Sequence, residues 1–444
     1  MNKTISLTYN NTSISGILLK EENNNYIIKL ASGYQINLSK KNCSSVSISK
    51  NDMSCTNEIS SFKKEGDKNN KSKNNTNLPN IAIFHTGGTI ASKVDYTTGA
   101  VSSHFTPEEL ISQFEELNQK ANLKAYMIGN LMSEDLRFGH YNLILEAIKE
   151  HHSSYDGIII SHGTDTMHYT SAALQYSLEN LQIPILLVGA QRSSDRASSD
   201  AFSNLKAAIE FITYNKTLKK NFKPSFNRVG ICMHNTINDS SYVILDSINA
   251  KKLHSSRRDA FKQINFRPVC EVTSDFEMKS IREELFTISS NEEELTYTPY
   301  NENLKIGIFT AHPHLHKEEI ESLEIYDGVV INGTGLGHIG LSEFDEISKR
   351  NIDNLKAISK ISNKIPICIG VQSVNGKVNL NVYSSGRRLL ESGVLGNYST
   401  LTAENQFVKL AYLLSKYKKE KITNEIWMKN IEGFDIEKIV DLKK

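Results

Sequence analysis

Hydrophobic and polar residues alternate in three short segments near the start of the chain, 15–20, 26–30 and 34–38. Polar turns at 21–25 and 31–33 separate these segments. Short strands with turns at this spacing are typical of a small antiparallel β-structure. We therefore predict a small SH3-like β-barrel domain over residues 1–50.

The chain then becomes strongly polar. Residues 57–79 are rich in lysine, asparagine and serine and contain a single phenylalanine. A segment with so few apolar side chains cannot bury enough surface to offset the entropy of folding. We predict a flexible linker over residues 51–79, which tethers the small domain to a larger body.

From residue 81 onwards, near-continuous apolar runs alternate with amphipathic segments. Fully apolar strands that alternate with helices indicate a mainly parallel sheet with helices on both of its faces. We predict a doubly wound α/β domain over residues 80–298. Its predicted strands are 81–84, 125–128, 157–161, 185–188 and 229–233, and its predicted helices are 107–120, 141–150, 169–178 and 201–214.

Apolar strands resume after a glutamate-rich segment near residue 300, at 306–309, 329–332 and 367–371. They predict a second, smaller α/β domain over residues 299–444. In open α/β sheets, ligands bind beyond the carboxyl ends of the strands. The residues that follow each strand are therefore the first place to look for chemistry.

Composition excludes several classes of protein. No run approaches the ~18 consecutive apolar residues of a membrane-spanning helix, and the N-terminus has no compact apolar export signal. The five cysteines form no CxxC pair, which argues for reduced thiols in a cytoplasm and against a disulfide framework or a zinc site. The net charge of +1 provides no general attraction to nucleic acid.

The first chemical motif follows the strand at 81–84. The chain reads Thr86-Gly87-Gly88-Thr89, and Tyr96 comes seven residues after Thr89. Paired glycines accept positive φ and allow another molecule to approach the backbone closely. A hydroxyl on such a turn is a candidate nucleophile, although a plain glycine-rich turn has the same sequence.

The second motif follows the strand at 157–161, where Gly163, Thr164 and Asp165 stand in sequence. These residues, or Thr166, could simply cap the next helix. However, two Gly/Thr turns at the ends of two strands can converge on one crevice. Together they offer two hydroxyls and a carboxylate, and hydrolysis requires in addition a group that activates a hydroxyl, such as a lysine with a lowered pKa.

The segments TGGTIAS and HGTDTM resemble the two signatures of the bacterial-type asparaginases, over about residues 80–416. The resemblance implies hydrolysis of a side-chain amide through an acyl-enzyme intermediate. It implies that Thr89 is the nucleophile, that Tyr96 is its partner on a mobile lid, and that Thr164 and Asp165 act as a pair. The sequence leaves open which threonine attacks first.

The resemblance also implies substrate-binding positions. Ser133 matches the serine that holds the α-carboxylate of the substrate, while Gly88 and Gly163 let the substrate lie close to the strand ends. The catalytic lysine is either Lys251 or Lys252. Counting back from Phe261 selects Lys252, and we expect Lys251 to be a solvent-exposed lysine.

A narrower resemblance concerns the small β-domain and the segments LHSSRRDAF and NGTGLGHIGL. These resemble the D-type subunits of the archaeal glutamyl-tRNA(Gln) amidotransferases over nearly the whole chain. The resemblance implies a glutaminase that binds no cofactor itself and supplies ammonia to an E-type subunit. It further implies that the E-type subunit contacts tRNA(Gln), that it uses ATP and Mg²⁺, and that a homodimer of this chain forms within an α2β2 heterotetramer. Residues 215–227 look like an insertion.

Other functions remain as alternatives. A free cytoplasmic L-asparaginase would have the same motifs but no need of the small domain, and a binding scaffold would have no need of the motifs. Gly335, Gly337 and Gly340 match a dinucleotide-binding pattern, but no second strand with a suitable acid follows. Three histidines at 312–316 lack companion ligands for a metal.

Overall fold

The structure is a computed structural model. It describes residues 3–9, 12–22, 24–30, 35–50, 78–88, 92–94, 101–103, 115–192, 199–288 and 293–429. Thr89, Tyr96 and residues 51–77 of the predicted linker lie outside the described residues. The predicted helix at 107–120 lies partly outside them, and its described end forms a 3-10 helix at Glu115–Gln119 instead.

The N-terminal segment forms one antiparallel sheet of five strands. The strands are β1 (Lys3–Tyr9), β2 (Thr12–Glu21), β3 (Asn25–Leu30), β4 (Gln35–Ser39) and β5 (Cys43–Lys50), and their order is β4-β3-β2-β1-β5. The apolar side chains of Ile5, Leu7, Leu18, Ile28 and Leu38 form a separate small core. The prediction of a small antiparallel β-domain is confirmed.

The body of the protein is built on an eight-stranded sheet. Its strands are β6 (Asn80–Gly87), β9 (Asn122–Leu131), β10 (Gly157–Ser161), β12 (Ile185–Val188), β13 (Val229–His234), β14 (Ser241–Asp246), β17 (Cys270–Thr273) and β18 (Met278–Lys279). Their order across the sheet is β18-β17-β14-β13-β12-β10-β6-β9. Five neighbouring strands pair in parallel, in the order β13-β12-β10-β6-β9. The other three, β14, β17 and β18, pair antiparallel.

Shorter strands lie outside this sheet. They are β7 (Ser92–Val94) with β8 (Val101–Ser103), β11 (Leu178–Glu179) with β19 (Thr296–Tyr297), and β15 (Ala250–Lys252) with β16 (Phe261–Gln263). The described α-helices are α1 (Phe138–His151), α2 (Met167–Ser177), α3 (Ala201–Lys220), α4 (Lys317–Glu321), α5 (Asn351–Ser362), α6 (Ser384–Glu391), α7 (Ala403–Lys416) and α8 (Asn424–Lys429).

Alternate residues of the central strands belong to two different cores, one on each face of the sheet. Ala82 and Phe84 of β6 pack in the core that includes α1 and α2, while Ile81 and Ile83 pack in the core that includes α3. Strands that are buried on both faces read as continuous apolar runs, since neither face meets water. This arrangement confirms the predicted doubly wound sheet.

Helix α3 continues six residues beyond its predicted end at Tyr214. Asn215 is buried there, and its side-chain oxygen accepts a hydrogen bond of 2.6 Å from the backbone N–H of Phe226. Lys216 pairs with Asp156 at 2.8 Å and donates to the carbonyl of Leu78. Tertiary contacts therefore build the start of segment 215–227 into the body of the domain.

The C-terminal lobe contains a parallel three-stranded sheet of β20 (Ile306–Thr310), β21 (Gly328–Gly333) and β22 (Ile367–Val371). Helix α7 lies between this sheet and α2 of the large domain. Val330 and Val408 therefore share one continuous core with Phe84. Within the described part of the chain, no helix has both the length and the apolar character needed to cross a membrane.

Candidate active site

The two Gly/Thr turns meet at the carboxyl edge of the large sheet. Strands β6 and β10 are parallel neighbours, and the hydroxyl of Thr86 donates a 2.8 Å hydrogen bond to the carbonyl of Ser161. Gly88 has a φ of +84°, and a Cβ there would lie 2.3 Å from the backbone nitrogen of Gly163. Only glycine allows so close an approach, and the structure thus brings together the turns that the sequence predicted to converge.

Lys252 joins the hydroxyl and the carboxylate of the second turn. Its Nζ donates a 2.9 Å hydrogen bond to Oγ1 of Thr164 and lies 2.6 Å from Oδ1 of Asp165. The Lys252 side chain is 8% exposed, whereas that of Asp165 is 67% exposed. The ammonium group is therefore withdrawn from water, while the carboxylate remains open to it.

Lys251 does not reach this site. Its Nζ pairs with Oε1 of Glu404 at 2.7 Å, and both side chains are largely covered. The expectation that Lys251 is a solvent-exposed lysine is therefore wrong. Consecutive residues of a strand point to opposite sides, so Lys251 turns toward α7 when Lys252 turns toward Thr164.

Ser133 lies beside Gly163. It is buried at the start of the short 3-10 helix Ser133–Asp135, and a Cβ on Gly163 would lie 2.8 Å from its Cβ. Thr166 is the N-cap residue of α2, but its hydroxyl donates 2.7 Å to the carbonyl of Ser133 and caps no helical N–H. The capping alternative for this turn is therefore not what the structure shows.

A third strand end also lies at the site, and the sequence interpretation missed it. Gly189 follows β12, and a Cβ there would lie 2.7 Å from Cγ2 of Thr164. The side-chain amide of Asn204 donates a 3.0 Å hydrogen bond to the carbonyl of Gly189. The position of Gly189 after a buried strand was the available signal, because β12 ends at the same edge of the sheet.

Two buried histidines lie next to the turns in the chain. The Nδ1 of His85 lies 2.7 Å from Oγ of Ser161, and the Nδ1 of His162 lies 2.6 Å from the carbonyl of Gly163. Burial lowers the pKa of each ring to about 4. Both rings are therefore neutral at pH 7, and they make these hydrogen bonds without adding a charge.

The histidines at 312–316 and the glycine pattern at 335–340 both have structural explanations. His312 contacts Glu319 at 3.0 Å and His316 contacts His314 at 3.1 Å, and among the described residues no group of three or more potential ligands gathers around a metal position. The glycine pattern at 335–340 forms a tight turn after β21, in which Thr334 N–H donates to His338 O. The next described α-helix is α5, so no helix N-terminus directly follows this turn in the described chain.

The described site therefore offers a hydroxyl, a shielded ammonium group and a carboxylate beside two glycine turns. This set can polarise a hydroxyl and admit a substrate carbonyl to the strand ends. Gly88, which directly precedes Thr89 in the chain, lies against this set. The roles assigned to Thr89 and Tyr96 stay predictions.

Comparison with known proteins matches both α/β lobes to asparaginase family models. A family model described as asparaginase, N-terminal, matches residues 80–283, and one described as glutaminase/asparaginase C-terminal domain matches residues 305–426. The D-type glutamyl-tRNA(Gln) amidotransferase subunit of Methanococcus maripaludis is 37% identical over 97% of this chain and 96% of its own length. The protein of the same name from Thermococcus kodakarensis is 37% identical over 80% of this chain and 76% of its own length.

Solved structures show the same fold. The thermostable L-asparaginase from Thermococcus kodakarensis matches with a TM-score of 0.67 and 27% identity, over 80% of this chain and 98% of its own. L-asparaginase I from Vibrio cholerae matches with a TM-score of 0.63 and 23% identity, over 80% of this chain and 97% of its own. The predicted asparaginase-like fold of the two α/β lobes is confirmed.

Proposed function

This chain belongs to the family of D-type glutamyl-tRNA(Gln) amidotransferase subunits, with the two lobes of the asparaginases, and from that premise we propose that it is the glutaminase of such an enzyme. It hydrolyses the side-chain amide of glutamine and supplies the ammonia that converts Glu-tRNA(Gln) to Gln-tRNA(Gln). The observation that carries the proposal is the bridge from Lys252 to Thr164 and Asp165, directly beside the meeting turns at Gly88 and Gly163.

The proposed reaction has two steps. The hydroxyl oxygen of Thr89 attacks the amide carbonyl and gives up its proton, the C–N bond breaks, and the leaving nitrogen takes up that proton and departs as ammonia. Water then attacks the acyl-enzyme ester, which releases glutamate and restores the Thr89 hydroxyl. Lys252 and Asp165 hold the Thr164 hydroxyl so that it can relay a proton, and Tyr96 assists Thr89.

The substrate is held by the groups around this centre. Ser133 binds the α-carboxylate, in keeping with its burial beside Gly163. Gly88 and Gly163, which bring the two turns into close contact, present their backbone to the amide carbonyl. No cofactor takes part on this chain.

We further propose the surroundings in which the enzyme works. An E-type subunit is its partner, contacts tRNA(Gln) and uses ATP and Mg²⁺ to activate the glutamate, and two copies of each chain form an α2β2 heterotetramer in the cytoplasm. The match to the Methanococcus relative extends over 97% of the chain and so includes the N-terminal β-domain. The match to the Thermococcus L-asparaginase leaves about a fifth of the chain uncovered, which is close to the length of residues 1–79.

The test compares glutamine hydrolysis by the purified chain, alone and with its partner subunit plus mischarged Glu-tRNA(Gln). We expect ammonia release to be stimulated by the partner and the RNA, and Thr89→Val to abolish it. Asp259→Asn is a control variant that should keep the parent rate, because the carboxylate of Asp259 pairs with the exposed Arg257 and not with Lys252. Fast turnover that favours asparagine and ignores the partner would instead identify a free L-asparaginase.

A further inference from the structure

The strand that carries Lys252 is short. Strand β15 has three residues and pairs only with β16, in a two-stranded sheet separate from the large sheet. An isolated two-stranded pair is only marginally stable by itself. Other contacts must therefore help to fix the position of Lys252. Buried Ala250 and Phe261 hold the hairpin in the core of the large domain, and a further set of contacts comes from the C-terminal lobe.

The first set of contacts is made by Asn249, the residue before β15. Asn249 is fully buried and has a φ of +65°. Its side-chain amide donates 2.9 Å to the carbonyl of Thr400, and its side-chain oxygen accepts 3.0 Å from the backbone N–H of Thr402. Its own backbone N–H donates 3.2 Å to Oδ1 of Asn405. All three partners surround the start of helix α7.

The second contact is the ion pair between Lys251 and Glu404. Glu404 lies in the first turn of α7, where the helix dipole favours a negative charge. Burial acts to raise the pKa of Glu404, but the hydrogen bond and charge of Lys251 outweigh it and hold that pKa below its usual value. The Glu404 carboxylate is therefore favoured, and its pair with Lys251 joins the middle of β15 to the same helix end that Asn249 contacts.

The geometry of a strand transmits these contacts to Lys252. Side chains of consecutive residues leave a strand on opposite sides, so the orientation of Lys251 sets that of Lys252. With Asn249 anchoring the entry to the strand and Lys251 anchoring its far side, β15 has little freedom to rotate. The Nζ of Lys252 is thereby kept within hydrogen-bonding distance of Thr164.

We propose that the start of helix α7 positions the catalytic Lys252, acting through Asn249 and through the Lys251–Glu404 ion pair. Asn249, Lys251 and Glu404 are positioning residues that contact no substrate. The C-terminal lobe thus contributes to the reaction by orienting Lys252. This inference rests on the proposed glutaminase activity.

The first experiment measures kcat and KM for glutamine in Lys251→Met, Glu404→Ala and the double variant. A displacement of about 1 Å at a catalytic group can cost up to about a hundredfold in rate, and we expect each single variant to lower kcat by about tenfold or more with KM little changed. Because both act through one bond, the double variant should be no slower than the slower single variant. Additive losses would overturn the proposal.

Lys262→Met is the matched control. Lys262 pairs directly with Lys251 in the β15–β16 register, yet its Nζ donates to the carbonyl of Asn235 and not to α7. We expect this variant to keep the parent kcat. An equal loss in Lys262→Met would mean that the hairpin responds to any lysine removal, and the proposal would fall.

Asn249→Gly separates the contacts from the backbone conformation, since glycine adopts positive φ without strain. The variant should lose kcat although its fold is kept, as measured by circular dichroism. A crystal structure of Lys251→Met supplies a readout independent of activity, and Lys252 Nζ should lie farther from Thr164 Oγ1 than in the parent protein. An unmoved Lys252 would overturn the positioning proposal, whereas absence of glutamine hydrolysis in the parent would overturn only the proposed function.

Discussion

At the scale of single residues, the two adjacent lysines show what sequence reasoning reaches and what it misses. Counting back from Phe261 selected Lys252, and in the structure Lys252 is paired with Phe261 across the hairpin. The pairing of Lys251 with Glu404 joins residues 153 positions apart. No local pattern reveals such a contact, because it depends on how the two lobes pack.

Replacing Lys252 should be far more damaging than replacing Lys251. Lys252→Met removes the ammonium group that bridges Thr164 and Asp165, and loss of a group in a catalytic unit commonly costs about a thousandfold or more in kcat. Steady-state kinetics on glutamine tests this expectation. A Lys252→Met variant that is as active as Lys251→Met would contradict the assignment.

The buried lysine of helix α7 should make stability depend on alkaline pH. Burial lowers the pKa of Lys409 well below its usual value, and its Nζ donates to the carbonyl of Trp427. At pH values between the pKa of Lys409 in the folded chain and its higher pKa in the unfolded chain, Lys409 is protonated only in the unfolded state. The free energy of unfolding therefore gains up to about 1.4 kcal/mol per pH unit as the pH rises.

Urea denaturation between pH 7 and pH 10 measures this effect. The free energy of unfolding of the parent chain should rise with pH relative to that of Lys409→Met, in which the titrating group is gone. Parallel curves for the two proteins would show that Lys409 keeps an ordinary pKa in the folded state.

At the scale of elements, the sequence predicted the strands better than the helix ends and turns. The central strands are buried on both faces, so their apolar runs are unambiguous. The end of α3 was placed too early because Asn215 and Lys216 look like loop residues, while their contacts with Phe226 and Asp156 hold them in the helix. The contact of Gly189 with Thr164 was missed because a glycine has no side chain whose chemistry would indicate a role in the site.

The contact between the two turns predicts a large effect of one methyl group. In Gly88→Ala, the new Cβ would lie 2.3 Å from the nitrogen of Gly163, so the turns must separate and both stability and kcat should fall. Gly393→Ala is the matched control, because Gly393 has a similar φ of +82° and no atom within 4 Å of the added Cβ. The control should cost only about 1–2 kcal/mol of backbone strain.

Unfolding free energies from urea titration and glutaminase rates decide this comparison. If both alanine variants lose the same stability and Gly88→Ala keeps its rate, the turns do not need their close contact for catalysis.

The buried histidines His85 and His162 should weaken the fold in mild acid. His85 and His162 have a folded pKa of about 4, against about 6.5 in an unfolded chain. The unfolded state therefore binds more protons between pH 6.5 and pH 4, and stability falls across this window by up to about 3 kcal/mol per histidine. Above pH 6.5 both states are neutral and neither histidine contributes.

Urea denaturation at pH 7 and pH 5 tests this prediction with His162→Asn, which removes the titrating ring but keeps a side-chain donor. The variant should lose less stability than the parent over this interval. An identical loss in both proteins would mean that other groups cause the acid sensitivity.

At the scale of the whole molecule, the hydrophobic cores do not follow the boundary between the two α/β lobes. The N-terminal β-domain has its own small core, whereas one core runs through both α/β lobes by way of α7. The sequence predicted two separate α/β domains because each has its own strands. It could not show that Val408 on α7 packs in the same cluster as Phe84.

Calorimetry should therefore show two unfolding transitions, one for the β-domain and one for both α/β lobes together. A shared core couples the lobes, since neither can unfold without exposing the apolar surface of the other. Removal of residues 1–77 should abolish one transition and leave the other unchanged. Three transitions in the full chain would show that the α/β lobes unfold independently.

The shared core also limits how the gene can be rearranged. If the two lobes were encoded by separate genes, one ending at residue 298 and the other beginning at residue 299, each product would expose the apolar surface that the other normally covers. Separately expressed halves should aggregate, whereas halves expressed in the same cell should associate and restore the site around Lys252. A lobe exchange between related enzymes would fail for the same reason, unless α7 and α2 were transferred together.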